Sequence, residues 1–221
     1  MPMQVFATLP QVTITKKGSL FSPHPKFSIY FLALASDMNS QSKTDLQTLQ
    51  ELGLSTDDKN VIQAAKYLYM SVSPPFENIT ADHPIPLLGD GFILYPPNDP
   101  NGALSIYVAI VQSAEQARHT GQVLQQVFSD SSVQDGFSKI EQAWQEVGKI
   151  STTLLFGLIQ DAGKAVGNVM AQSNDKILFS SLFSGLAVDN YSGSQNGTTY
   201  PMGNDDVQAV MKVWAEQPSQ S

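Results

Sequence analysis

The chain has 221 residues, 42% of them apolar and only 14% charged, with a net charge of −8. That length can bury a sizeable core, and low charge at ordinary hydrophobicity argues against a disordered chain. Arg118 is the sole arginine and Lys16-Lys17 the one adjacent lysine pair, so a nucleic-acid partner and an anionic membrane surface are both disfavoured. The absence of cysteine excludes disulfides, thiolate nucleophiles and Cys-ligated zinc.

The N-terminus shows no basic stretch followed by an apolar run, so neither a signal peptide nor a transmembrane helix is expected. A cytoplasmic or leaderless secreted protein fits, and the compartment stays open. Asn78-Ile79-Thr80 and Asn196-Gly197-Thr198 match the glycosylation sequon, which is informative only for a secreted chain.

Taken in order, Val12 to Thr15 alternates with two β-branched apolar residues on one face, and Lys16-Lys17-Gly18 ends the run. Phe27 to Leu34 is aromatic and branched, a strong strand closed by the loop Ser36 to Ser42. Thr44-Asp45 starts a short helix with Leu46, Leu49 and Leu52 on one face. Thr56-Asp57-Asp58 starts a second helix, which yields near Ala65 to an alternating strand, Tyr67 to Val72.

Gly91 to Tyr95 and Ala103 to Val111 flank a loop dense in Pro, Asn and Gly. Antiparallel pairing of those two arms as a hairpin is the natural expectation. Helix follows, with Ser113 as its candidate cap. A first stripe, Val123, Leu124, Val127 and Phe128, gives way to one running from Phe137 to Val169 with spacings of three and four. That pattern fits one long helix or two helices meeting near Gly148.

Strands return at Ile177 to Phe183, Leu186 to Tyr191 and Thr198 to Met202. The last element, Val207 to Trp214, suits a helix capped by Asn204 or a strand with Val207, Ala209, Met211 and Val213 on one face. The neighbouring strands favour the second.

The expected fold is therefore α+β. A mainly antiparallel, sandwich-like sheet is drawn from residues 11–112 and 176–214, with a helical crossover at about 113–172 packed on one face, all within a single domain of residues 1–221.

Four groups of residues could carry activity. Residues 150–170 are apolar, rich in small residues and include Gly157, Gly163 and Gly167. Such a block could enter a bilayer, as in a toxin or pore-forming component, or could lie close against a sheet. Asp161 and Lys164 interrupt it, at about 2.5–3.5 kcal/mol each at a bilayer centre. Sheet packing is the better reading.

Asp90, Asp99 and Asn101 are candidate calcium ligands because oxygen-rich loops at one edge of a sandwich can hold that ion. The same residues are what tight turns require. Tyr95, Tyr107 and Tyr191 are candidate ligand or interface residues, since tyrosine pairs a stacking surface with a hydroxyl.

No catalytic constellation stands out. His24 and His83 precede prolines, His119 stands alone, and no zinc-hydrolase, nucleophile-elbow or phosphate-loop motif occurs. The expectation is a non-enzymatic binding or assembly protein with no cofactor other than a possible calcium ion. A protein partner or self-association ranks above a small molecule, nucleic acid is not expected, and membrane activity and calcium-dependent binding are the alternatives.

Overall fold

The computed structural model of the chain describes residues 4–15, 28–39, 43–79, 82–99, 102–113, 120–148, 150–172, 175–186 and 197–216. Within them the chain runs β1 (Gln4–Ile14), β2 (Ser28–Asp37), α1 (Leu46–Glu51), α2 (Lys59–Tyr67), β3 (Tyr69–Val72), β4 (Phe76–Glu77), β5 (Phe92–Asn98) and β6 (Ala103–Ser113). It continues with α3 (Thr120–Phe128), α4 (Ser131–Val147), α5 (Thr152–Ala171), β7 (Lys176–Leu186), β8 (Thr198–Gly203) and β9 (Val207–Glu216). The fold is α+β: two antiparallel sheets and a layer of helices.

One sheet has the order β5-β1-β9-β8, and the other β3-β2-β6-β7 with β4 paired to β2. Each sheet therefore combines strands from both ends of the chain. The five-stranded sheet lies in the middle, and its two central strands are buried at every residue of β2 and β6. Alternation divides their side chains between two cores. Ile29, Phe31, Leu104, Ile106, Val108 and Ile110 meet the four-stranded sheet. Tyr30, Leu32, Leu34, Tyr107, Ala109 and Val111 meet the helices.

Polar side chains set the helix starts. Asp45, Asp58, Asp130 and Ser151 each accept a hydrogen bond from a backbone N–H of the first turn of α1, α2, α4 and α5. Gly148, left-handed at φ 67°, caps α4 and separates it from α5, so the long apolar stripe belongs to two helices. α2 runs on to Tyr67, and only Tyr69 begins the strand.

Two further expectations meet a different outcome. The strand read from Val12 starts eight residues earlier, at Gln4. Pairing of β1 with β9 slips by one residue between Thr8 and Gln11, around Pro10. That bulge changes the parity, so Val5, Ala7 and Leu9 before it and Val12 and Ile14 after it all face the core.

The expected hairpin does not form. β5 pairs with β1 in one sheet, while β6 pairs with β2 and β7 in the other. β6 is buried on both faces and needs a partner on each side, whereas β5 carries Pro96 and Pro97, which have no N–H to donate. The two arms meet face to face instead, with Leu94 and Leu104 in the same core.

Ser113 is the last residue of β6, and its hydroxyl donates to Asp175 Oδ1 at 2.8 Å; residues 114–119, where a helix capped by it would begin, lie outside the described residues. Val207 to Trp214 is strand, paired with β1 and β8, with Val207, Ala209, Met211 and Val213 buried. Asn204 caps the β8–β9 turn by accepting from the N–H groups of Asp206 and Val207, both at 2.9 Å. Of the expected strand at Leu186 to Tyr191, residues beyond 186 lie outside the described residues.

α5 lies on the five-stranded sheet through Leu155, Leu158, Ile159, Ala162 and Val166. A Cβ added at Gly163 would stand 2.7 Å from Cδ2 of the Tyr107 ring, so this position needs glycine for the helix to sit so near. At Gly157 and Gly167 an added Cβ meets nothing within 4 Å, so close packing explains one of the three glycines only. Asp161 and Lys164 pair with each other at 3.0 Å on the outer side. No helix among the described residues is long and apolar enough to cross a membrane.

Candidate functional site

The richest polar constellation lies where the end of β2, β3, β5 and the approach to α1 converge. Asp37 is fully buried, and the side chain of Lys43 is 2% exposed; the two form an ion pair. Lys43 Nζ also donates to the carbonyl of Asn39 at 2.6 Å, and the Asn39 N–H donates to Asp37 Oδ1 at 2.8 Å. The other carboxylate oxygen, Oδ2, accepts from the Tyr95 hydroxyl at 2.7 Å. Because Asp37 belongs to one sheet and Tyr95 to the other, this bond ties the two layers together.

Tyr69 completes the cluster. Its ring stands edge-on to Tyr95, with centroids 5.0 Å apart and planes at 84°. Its hydroxyl accepts a hydrogen bond from Asn98 Nδ2, and Lys43 Nζ lies 5.6 Å from its ring centroid. The loop leading to α1 is pinned as well. Lys43 and Thr44 donate their N–H groups to Ala65 O at 2.9 and 3.0 Å, and the Thr44 hydroxyl donates to Leu68 O at 2.6 Å.

Electrostatics follow from burial. Desolvation pushes the Lys43 ammonium below its ordinary pKa, against the opposing pull of Asp37. Desolvation, and then the Asp37 charge, push the phenols of Tyr69 and Tyr95 above theirs. Both phenols stay protonated and act as hydrogen-bonding groups.

Above this cluster opens a cleft of about 300 Å³, lined among others by Asp45, Thr48, Tyr69, Ser71, Ile93 and Pro96. It lies between β3 and β5, each an edge strand of its own sheet. Ile93 is 51% exposed within it, and Leu46, next to Asp45, is 63% exposed. A second cleft of about 430 Å³ lies between Pro75–Ile79 and His83–Pro86; Glu77 and His83 are its ionisable lining residues. A second buried polar group lies just before β7: Asp175 accepts from the Ser113 hydroxyl at 2.8 Å and from the Tyr30 hydroxyl at 3.5 Å.

The residues singled out from sequence divide unevenly. Tyr95 lies in the cluster but is fully buried, and Tyr107 is 6% exposed beneath α5, so neither ring offers a surface to a ligand. Tyr191 and Asn101 lie outside the described residues. Asp90 is exposed in the turn before β5 and Asp99 follows the end of that strand. A seven-residue strand puts roughly 20 Å between them, too far to share one ion. Among the described residues no three His, Asp or Glu side chains converge on a possible metal position.

By residue type Asp37 and Asn98 belong with the oxygen-rich loop positions that suggest calcium, and Tyr69 with the tyrosines that suggest stacking, but nothing in the sequence marks Lys43 or joins these residues to one another. They span positions 37 to 98 with no motif spacing, and only the meeting of two sheets assembles them. Neither a protein-family model nor a curated protein matches the chain significantly.

Proposed function

We propose that the chain is a non-enzymatic recognition or assembly protein, and that the cleft between β3 and β5 receives an extended segment of a protein partner. The observation that carries this reading is the self-contained bonding of the corner. Lys43 and the Tyr95 hydroxyl are spent on Asp37, and the lining carboxylate Asp45 caps α1 by accepting from Thr48 N–H. That leaves mainly hydroxyl and apolar groups, Thr48, Ser71, Ile93 and Pro96, facing the cleft. Such a surface suits shape and hydrogen-bond recognition better than proton transfer. The membrane-active alternative draws less support, because the apolar face of α5 is already spent on the sheet.

An array of extended ten-residue peptides, probed with the full chain and with Ile93→Glu, tests the proposal. Peptides that bind should lose at least tenfold in affinity with Ile93→Glu. They should be unaffected by Leu88→Glu, whose parent side chain is 92% exposed and outside the cleft. Equal binding by all three proteins would reject the cleft, and turnover of a small substrate abolished by Lys43→Met would reject the non-enzymatic reading.

A further inference from the structure

The four sheet edges are not equally protected. β3 has four residues and runs into Pro74-Pro75, β5 contains Pro96 and Pro97, and β8 contains Pro201. Short strands and prolines are the usual guards against an edge pairing with another chain. β7 has neither: it is eleven residues long without proline, and among the described residues it pairs as a strand only with β6. Its bulge at Leu178, where the carbonyl accepts from Asn204 Nδ2 at 2.8 Å, lies toward the Lys176 end and leaves Phe179 onward regular.

Its sole ionisable side chain is Lys176, at one end, in a chain whose net charge is −8. It is therefore a strip along which two acidic copies can approach without facing carboxylates. Beyond Lys176 its side chains are uncharged: Ser180 and Ser184 are exposed, and Ser181, Leu182 and Phe183 half-buried.

The geometry points to β7 as a homodimer interface, in which two copies pair their β7 edges antiparallel about a two-fold axis at Ser181. A two-fold contact uses the same patch twice, and antiparallel edge pairing satisfies that requirement directly. In this register Phe179 of one copy faces Phe183 of the other on the side of the four-stranded sheet, a favourable aromatic cross-strand pair. Leu182 faces Ser180 on the helix side, and no like charges oppose each other. The two five-stranded sheets become one continuous sheet with both helical layers on the same side. This inference rests on the edge and not on the cleft, so either can fail alone.

The test uses the full chain. Light scattering coupled to size exclusion should give twice the 24.0 kDa monomer mass. Ser180→Lys should abolish the dimer by placing like charges near the axis, and a mixture of Ser180→Lys with Ser180→Glu should restore it as a heterodimer. Because the chain has no cysteine, Ser181→Cys is a clean second probe that leaves Ser180 intact. The paired Cβ atoms would lie roughly 4.5–5.5 Å apart across the axis, so mild oxidation should cross-link it far faster than Asn168→Cys on the exposed side of α5. A wild-type chain that stays monomeric at the highest attainable concentration overturns the inference. So does a dimer indifferent to Ser180→Lys, or cross-linking of Ser181→Cys no faster than the control.

Discussion

The two central strands of the five-stranded sheet are buried on both faces, yet the two faces are closed by different means. Toward the helices, contact depends on shape: Gly163 admits the Tyr107 ring, and Ala162 and Ala165 keep the α5 backbone near the sheet. Toward the other sheet, a largely apolar core ends in a buried ion pair roofed by two tyrosines. Shape errors can be partly relieved by small shifts of neighbouring atoms. An uncompensated charge cannot, so the polar corner should be the less forgiving side.

The strongest way to break that contrast is Asp37→Ala. It strands the Lys43 ammonium in a dry site and should cost about 3–5 kcal/mol in chemical denaturation. Adding Lys43→Met should return much of the loss, because the charge then disappears with its partner. A double variant no more stable than the single one would show that the pair is not what matters.

Tyr95→Phe leaves one Asp37 oxygen without its donor and should cost about 1–3 kcal/mol. It also has a pH signature. Burial raises the Tyr95 and Tyr69 phenols above the ordinary 10.0, so above that pH the unfolded chain releases protons that the folded chain retains. Stability should therefore fall as pH rises past 10. Lys43, lowered from 10.5, acts with the opposite sign and adds stability as pH approaches that value. Melting temperature against alkaline pH should slope less steeply in Tyr95→Phe than in the wild type. Identical slopes would place the phenol outside the linkage.

The helix side yields smaller effects of both signs. Gly163→Ala must displace the Tyr107 ring, and should destabilise by about 1–2 kcal/mol after allowing for the helix preference of alanine. Gly157→Ala and Gly167→Ala meet open space, and should each stabilise by about 0.5–1 kcal/mol. If all three changed the melting temperature alike, close approach at Gly163 would lose its meaning.

Much of this architecture can be read in the chain. Asp45 and Asp58 mark helix starts because a short side-chain oxygen reaches the free N–H groups of a first turn, whereas Asp130 and Ser151 do the same at starts that the continuous apolar stripe hides. Unbroken burial along β6 is equally plain from its unrelieved apolar run. Partner choice is not. The arms at 92–98 and 103–113 look like a hairpin because a turn-rich loop joins them, but local turn chemistry says nothing about which sheet each arm enters. Likewise Tyr95 stands out by residue type, whereas Lys43 stands out by nothing until Asp37 is beside it.

What the residues determined alone is periodic: where helices begin, which strands are wetted on one face, and that Val207 to Trp214 could be read two ways. Packing alone decided the rest. It chose strand for that segment because β1 and β8 offered hydrogen bonds on both sides, and it brought Asp37, Lys43, Tyr69 and Tyr95 together from distant positions. Periodicity is a property of neighbours along the chain, whereas burial of a charge depends on groups that meet only when the layers close.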